Sequence, residues 1–145
     1  MNFQTDGARP RARFFSALAL VGLLAACSGA TATPSSEPTC IQADADNVVE
    51  LSAQDLQFSA ECIEVAAGEP ITIEFTNMES QPHDVAVYQD SSKATEVMRG
   101  EIITGPDVST TYQVPALEAG DHYFDCSIHT AMKGILRAVE APAAS

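Results

Sequence analysis

Apolar and polar residues alternate with a period of two over several short stretches. In 71–77 (ITIEFTN), Ile71, Ile73 and Phe75 face one way and Thr72, Glu74 and Thr76 the other, as in a half-buried strand. Within 83–88 (HDVAVY), Val85 and Val87 share a face, and in 109–114 (STTYQV) Tyr112 and Val114 oppose Thr111 and Gln113. The segment 122–126 (HYFDC) places His122, Phe124 and Cys126 on one side. Further short strands are expected at 47–51, 62–65 and 134–140, the last with apolar residues on both faces and an undefined register. Turn signals separate them at 67–70 (AGEP), 105–107 (GPD) and 118–121 (EAGD). The stretch 91–100 (SSKATEVMRG) reads as a helical turn or a loop. About seven to eight short strands, no amphipathic helix and no internal repeat predict an all-β sandwich.

The pattern breaks at both ends. Arg9, Arg11 and Arg13 precede an apolar run ending at Cys27, which reads as a secretory signal too short to span a membrane comfortably. The last residues of that run, Leu24-Ala25-Ala26-Cys27, resemble the lipobox of bacterial lipoproteins, which implies cleavage before Cys27 and lipid on its sulfur. Residues 28–39 are small, polar and proline-punctuated, the composition of a flexible tether. The expected organisation is a signal at 1–26, a lipidated cysteine and tether at 27–39, one folded domain at 40–140 and a frayed tail at 141–145.

Charge narrows the function further. The chain has 145 residues, with 7 Lys and Arg against 20 Asp and Glu and a formal net charge of −13. Such a balance repels a phosphate backbone and argues against nucleic acid, while it suits a basic protein partner. Export places the cysteines in a disulfide-permissive compartment.

The candidate chemistry lies in 123–132 (YFDCSIHTAM), where Cys126, His129 and Met132 follow one another at three-residue intervals. One thiolate, two imidazoles and a distant thioether compose a trigonal blue-copper site. The loop lacks only the second imidazole. His122 lies four residues before Cys126 on an extended strand, about 13 Å away, and is expected to be a core or sheet-surface residue. His83, entering a strand from a turn after Pro82, is the better donor.

Across residues 48–140 the sequence resembles the cupredoxins, the small blue copper proteins. The resemblance rests on 56–77 (LQFSAECIEVAAGEPITIEFTN), 82–88 (PHDVAVY) and 119–136 (AGDHYFDCSIHTAMKGIL). It implies a Greek-key β-sandwich holding one copper ion, with His83, Cys126 and His129 as equatorial ligands and Met132 as the axial thioether. The C-x2-H-x2-M loop is similar to that of amicyanin and shorter than the plastocyanin loop. Residues 129–134 (HTAMKG) also look like the binuclear copper domain of cytochrome oxidase subunit II, but the second loop cysteine of that domain is missing, so a mononuclear site is implied. Two positions depart from the usual pattern. Asp84 stands where many cupredoxins have Asn, and His122 where many have Tyr.

With Cys27 on lipid and Cys126 on metal, Cys40 and Cys62 remain as an even pair, either bridged or left as two buried thiols. The function expected is a membrane-tethered carrier of single electrons outside the cytoplasm, in the periplasm or at the cell surface. A basic redox protein, such as a c-type cytochrome or a membrane oxidoreductase, is the expected partner, and the domain is expected to be monomeric. Copper delivery on the same fold is the alternative. A stand-alone oxidase or reductase would need additional copper centres, which three histidines do not supply.

Overall fold

In the computed structural model, residues 39–140 are described; the signal segment, Cys27, nearly all of the tether and the tail lie outside them. Ten strands are found among these residues: β1 (Ile41–Gln42), β2 (Val48–Gln54), β3 (Gln57–Phe58), β4 (Cys62–Ala66), β5 (Ile71–Asn77), β6 (Ala86–Tyr88), β7 (Glu96–Arg99), β8 (Val108–Val114), β9 (Gly120–Cys126) and β10 (His129–Val139). The count exceeds the expected seven to eight because β1 and β3 are two-residue strands and because β7 occupies the second half of the stretch expected as a helical turn or loop. That stretch concealed a strand because Val97 and Met98 are adjacent and both half-buried, leaving no alternation to read.

The strands form a six-stranded sheet, β1-β4-β10-β9-β6-β7, and a four-stranded sheet, β3-β2-β5-β8. Both are mixed: β4 runs parallel to β1 and β10, and β2 parallel to β5. Apolar side chains from the inner faces fill the space between them, among them Leu51, Ile63, Ile73, Phe75, Val87, Phe124 and Leu136. Phe58 packs against both Phe75 and Phe124, with ring centroids 6.2 and 5.3 Å away. The unsettled register of 134–140 is resolved: Gly134, Leu136 and Ala138 are buried, while Lys133, Ile135 and Arg137 take the other face.

The buried strand β6 begins later than expected. His83 lies before it, in an isolated antiparallel bridge with Ile103 whose two hydrogen bonds are each 2.9 Å. At the opposite end Asn47 replaces missing strand bonds. Its side chain accepts from the Ala66 amide at 2.8 Å and donates to the Pro70 carbonyl at 3.1 Å.

Cys40 and Cys62 are joined by a disulfide across 22 residues. It ties β1 to β4 where the parallel register begins with Ile41 opposite Ile63, and closing a loop of that size stabilises by about 3 kcal/mol. The bridged alternative is the one the chain adopts. No helix among the described residues is long and apolar enough to cross a membrane.

Candidate metal centre

Three separate pieces of chain bring the donors together. Strand β9 ends at Cys126, residues 127 and 128 turn, and β10 begins with His129 directly opposite Cys126. The pairing then slips, so that Lys133, four residues further along β10, opposes Asp125, a single step back on β9. That surplus is a bulge, and it carries Met132, which is buried close to the other three residues. His83 arrives from the β5–β6 connection. Asn77 fixes that connection by donating to the Gln81 carbonyl at 2.7 Å and to the Ile103 carbonyl at 3.2 Å.

The donor atoms form a small triangle. Cys126 Sγ lies 3.8 Å from His83 Nδ1 and 3.6 Å from His129 Nδ1, and the two nitrogens are 3.2 Å apart. A circle through the three atoms has a radius of about 2.1 Å, the length of an ordinary metal–imidazole bond. Two imidazole nitrogens and a sulfur converging on one point, all in a largely dry pocket, are a donor set that a soft or borderline cation satisfies. The residues therefore fit the copper implied by the sequence. His122 does not join them. It is buried on β9, with Nε2 bonded to the Glu118 carbonyl at 2.9 Å.

Neighbouring groups orient these donors. The Glu79 carboxylate accepts from His83 Nε2 at 2.8 Å, which leaves the Nδ1 lone pair facing Cys126, as a ligand histidine requires. Glu79 is itself held by the Leu56 amide at 2.9 Å. Its carboxyl lies below the usual range, first because of that amide and then because of His83. Asp84 is fully buried and binds Ser127 twice: Oδ1 accepts from the amide at 2.7 Å and Oδ2 from the hydroxyl at 2.6 Å. A carboxylate here ties the His83 segment to the residue after Cys126, the part that the resemblance gives to an amide, and adds a negative charge. Arg99 lies 3.9 Å from it.

Burial pushes the Cys126 thiol up, and the backbone amides of Asp84, Ile128 and His129 pull against that. A buried thiolate becomes favourable when a cation accompanies it. Glu79, Asn77 and Ser127 were not singled out from the sequence. Their roles depend on the fold of the β5–β6 connection and of the hairpin turn, and nothing in the local pattern marks them.

The profile of the cupredoxin-like domain matches residues 17–138. No curated protein sequence matches the chain. Among solved structures, dithionite-reduced auracyanin from Roseiflexus castenholzii is 20% identical, with a TM-score of 0.57 over 68% of this chain and 100% of its own. Auracyanin A, a blue copper protein from Chloroflexus aurantiacus, is 16% identical, with a TM-score of 0.56 over 63% of this chain and 98% of its own. A reduced amicyanin variant is 20% identical, with a TM-score of 0.50 over 73% and 95%. These structures share with this chain the two-sheet sandwich fold. The chain belongs to the cupredoxin-like domain family.

Proposed function

We propose that the protein is a single-electron carrier in which His83, Cys126, His129 and the Met132 thioether would hold one copper ion. The observation that carries this reading is the Nδ1–Nδ1–Sγ triangle, whose dimensions suit one ion. Copper bound there supplies a one-electron couple. The chain's own part is to keep the geometry unchanged between oxidation states. The His83–Ile103 bridge, the Asp84–Ser127 bonds and the β9–β10 pairing each hold one donor in place. His83, Cys126 and Met132 are buried and His129 is half-buried, so the His129 ring is the donor nearest solvent and the natural exit for an electron.

A carrier is favoured over a stand-alone oxidase or reductase, because the remaining histidine, His122, is bonded to the Glu118 carbonyl and is not one of the three clustered donors. It is favoured over copper delivery because Met78, Met98 and Met132 form no exposed methionine cluster: Met78 is exposed, Met98 half-buried and Met132 buried. The signal and lipobox pattern supports a lipid anchor on Cys27 in a bacterial membrane, facing the periplasm or the exterior. The acidic surface supports a basic redox partner such as a c-type cytochrome.

The test is a visible spectrum of the protein with one equivalent of Cu(II). An intense blue or green band that ascorbate bleaches reversibly is expected, and Cys126→Ser should abolish it. A colourless protein that binds Cu(I) tightly would transfer the reading to copper delivery.

A further inference from the structure

Charge is divided between the two faces of the sandwich. Four cationic side chains occur among the described residues, and all four lie on the outer side of the six-stranded sheet. Lys93 binds Asp125 at 2.6 Å and lies over the Tyr88 ring. Arg99 donates to the Tyr88 hydroxyl at 2.9 Å. Lys133 stands opposite Asp125, and Arg137 opposite Asp121, which it binds at 2.7 Å.

The outer face of the four-stranded sheet has no cation among the described residues. Its outward positions on β2, β5 and β8 carry Glu50 and Glu74 among hydroxyl and amide side chains, with Val48 at one end. Glu50 and Glu74 stand directly opposite one another on the parallel strands β2 and β5. Like charges in that arrangement cost stability, so packing within the sheet gives no reason for them, and an incoming ammonium or guanidinium would relieve them. A groove of about 390 Å³ runs along this face between Glu50, Ser52, Ser59, Glu74, Thr76 and Met78. It joins the carboxylate pair to an exposed methionine at the metal end.

Apolar exposure leans the same way. Of the six exposed large hydrophobic side chains among the described residues, Val139 is at the far end, where its carbonyl accepts from the Ala67 amide. The others, Leu56, Met78, Ile102, Val108 and Ile128, are at the metal end. Leu56 follows β2, Met78 follows β5 and Val108 begins β8, so three of these five continue strands of the four-stranded sheet.

From this asymmetry we infer a docking surface for a cationic redox protein: it covers the metal end and the Glu50–Glu74 groove on the four-stranded side, and avoids the six-stranded face. The inference rests on the carrier reading for its consequence in electron transfer. The partner's lysines or arginines meet Glu50 and Glu74, while its apolar surface meets Met78, Leu56 and Ile128 beside His129. One electron then passes from the reduced protein to the partner's ferric haem, with no atom or proton transferred. Complementary charge of this kind raises association rates by about 10-fold or more and is screened by salt.

Ferric horse cytochrome c serves as the cationic probe and zwitterionic ferrocenium carboxylate, which has no net charge, as the control oxidant. Glu50→Lys/Glu74→Lys should slow oxidation by cytochrome c about 10-fold at low salt and flatten its salt dependence, with the ferrocenium rate unchanged. Glu64→Lys/Glu140→Lys makes the same change in net charge away from the groove and should have a much smaller effect. Equal slowing by the two double variants would overturn the proposed surface. A wild-type protein that fails to reduce even ferrocenium would sink the carrier reading instead. The surface is then decided by amide chemical shifts on adding cytochrome c to metal-free protein. Shifts centred on Ser52, Glu74 and Met78 support it, and shifts centred on Tyr123, Lys133 and Ile135 overturn it.

Discussion

Among single residues, the thioether and Asp84 are the parts most open to test. Met132→Leu should retain copper and raise the reduction potential, since a weak donor to the oxidised ion is lost; voltammetry measures it, and an unchanged potential would remove Met132 from the axial position. Asp84→Asn keeps an oxygen for the Ser127 amide but removes a buried charge beside the thiolate. The potential should rise while the melting temperature of metal-free protein changes little. A fall in potential would contradict an electrostatic role for Asp84. The spacing of Cys126, His129 and Met132 was readable because three donor types rarely recur at such intervals. The sequence favours His83 because it enters a strand from a turn after Pro82 while His122 is too far along an extended strand, and the structure places His83 beside Cys126 and His129. Glu79 was not readable. Its four-residue distance from His83 signifies a contact only after the intervening turn folds back.

Strands were legible where one face is buried and the other wet. The span of β5 was read residue for residue, as Ile71–Asn77, because its alternation is complete. The strands β7 and early β10 were not, for different reasons. The first lacks alternation, and the second carries the bulge that buries Met132. Parallel pairing of β4 with β10 was also hidden, since periodicity reports which face a residue takes and not which strand lies beside it. That pairing makes Gly134 a sensitive position. A Cβ there would come within 2.6 Å of the Glu61 carbonyl oxygen and enter the Phe124 ring. Gly134→Ala should therefore destabilise the protein by about 1–3 kcal/mol, read from thermal or denaturant unfolding; an unchanged midpoint would mean that β4 and β10 separate easily.

The whole molecule is acidic, and its carboxylates set its response to pH. Asp121 is held below its ordinary 3.8, first by its hydrogen bond to Arg137, and Glu79 below its ordinary 4.5, first by the Leu56 amide. Depressed folded-state values mean that the unfolded chain binds protons more readily. The contribution is therefore complete above the ordinary carboxylate range, and it fades as pH falls below 4.5 and then 3.8 toward the lowered folded values. Melting temperatures of metal-free protein should be level near neutrality and drop below about pH 4.5. Removing the Arg137 partner with Arg137→Gln should shrink the part of that drop due to Asp121, and an identical profile would discount the pair.

The sulfurs are sorted by the two sides of one sheet. Cys62 takes the outer side of β4 in its bridge to Cys40, whereas Cys126 points inward from β9 among core residues and is the free cysteine of the described chain. Folding thus separates the thiol intended for metal from the pair intended for oxidation. In the folded chain the Cys126 thiol is buried on the opposite face from the bridge, so disulfide exchange between them has no open path.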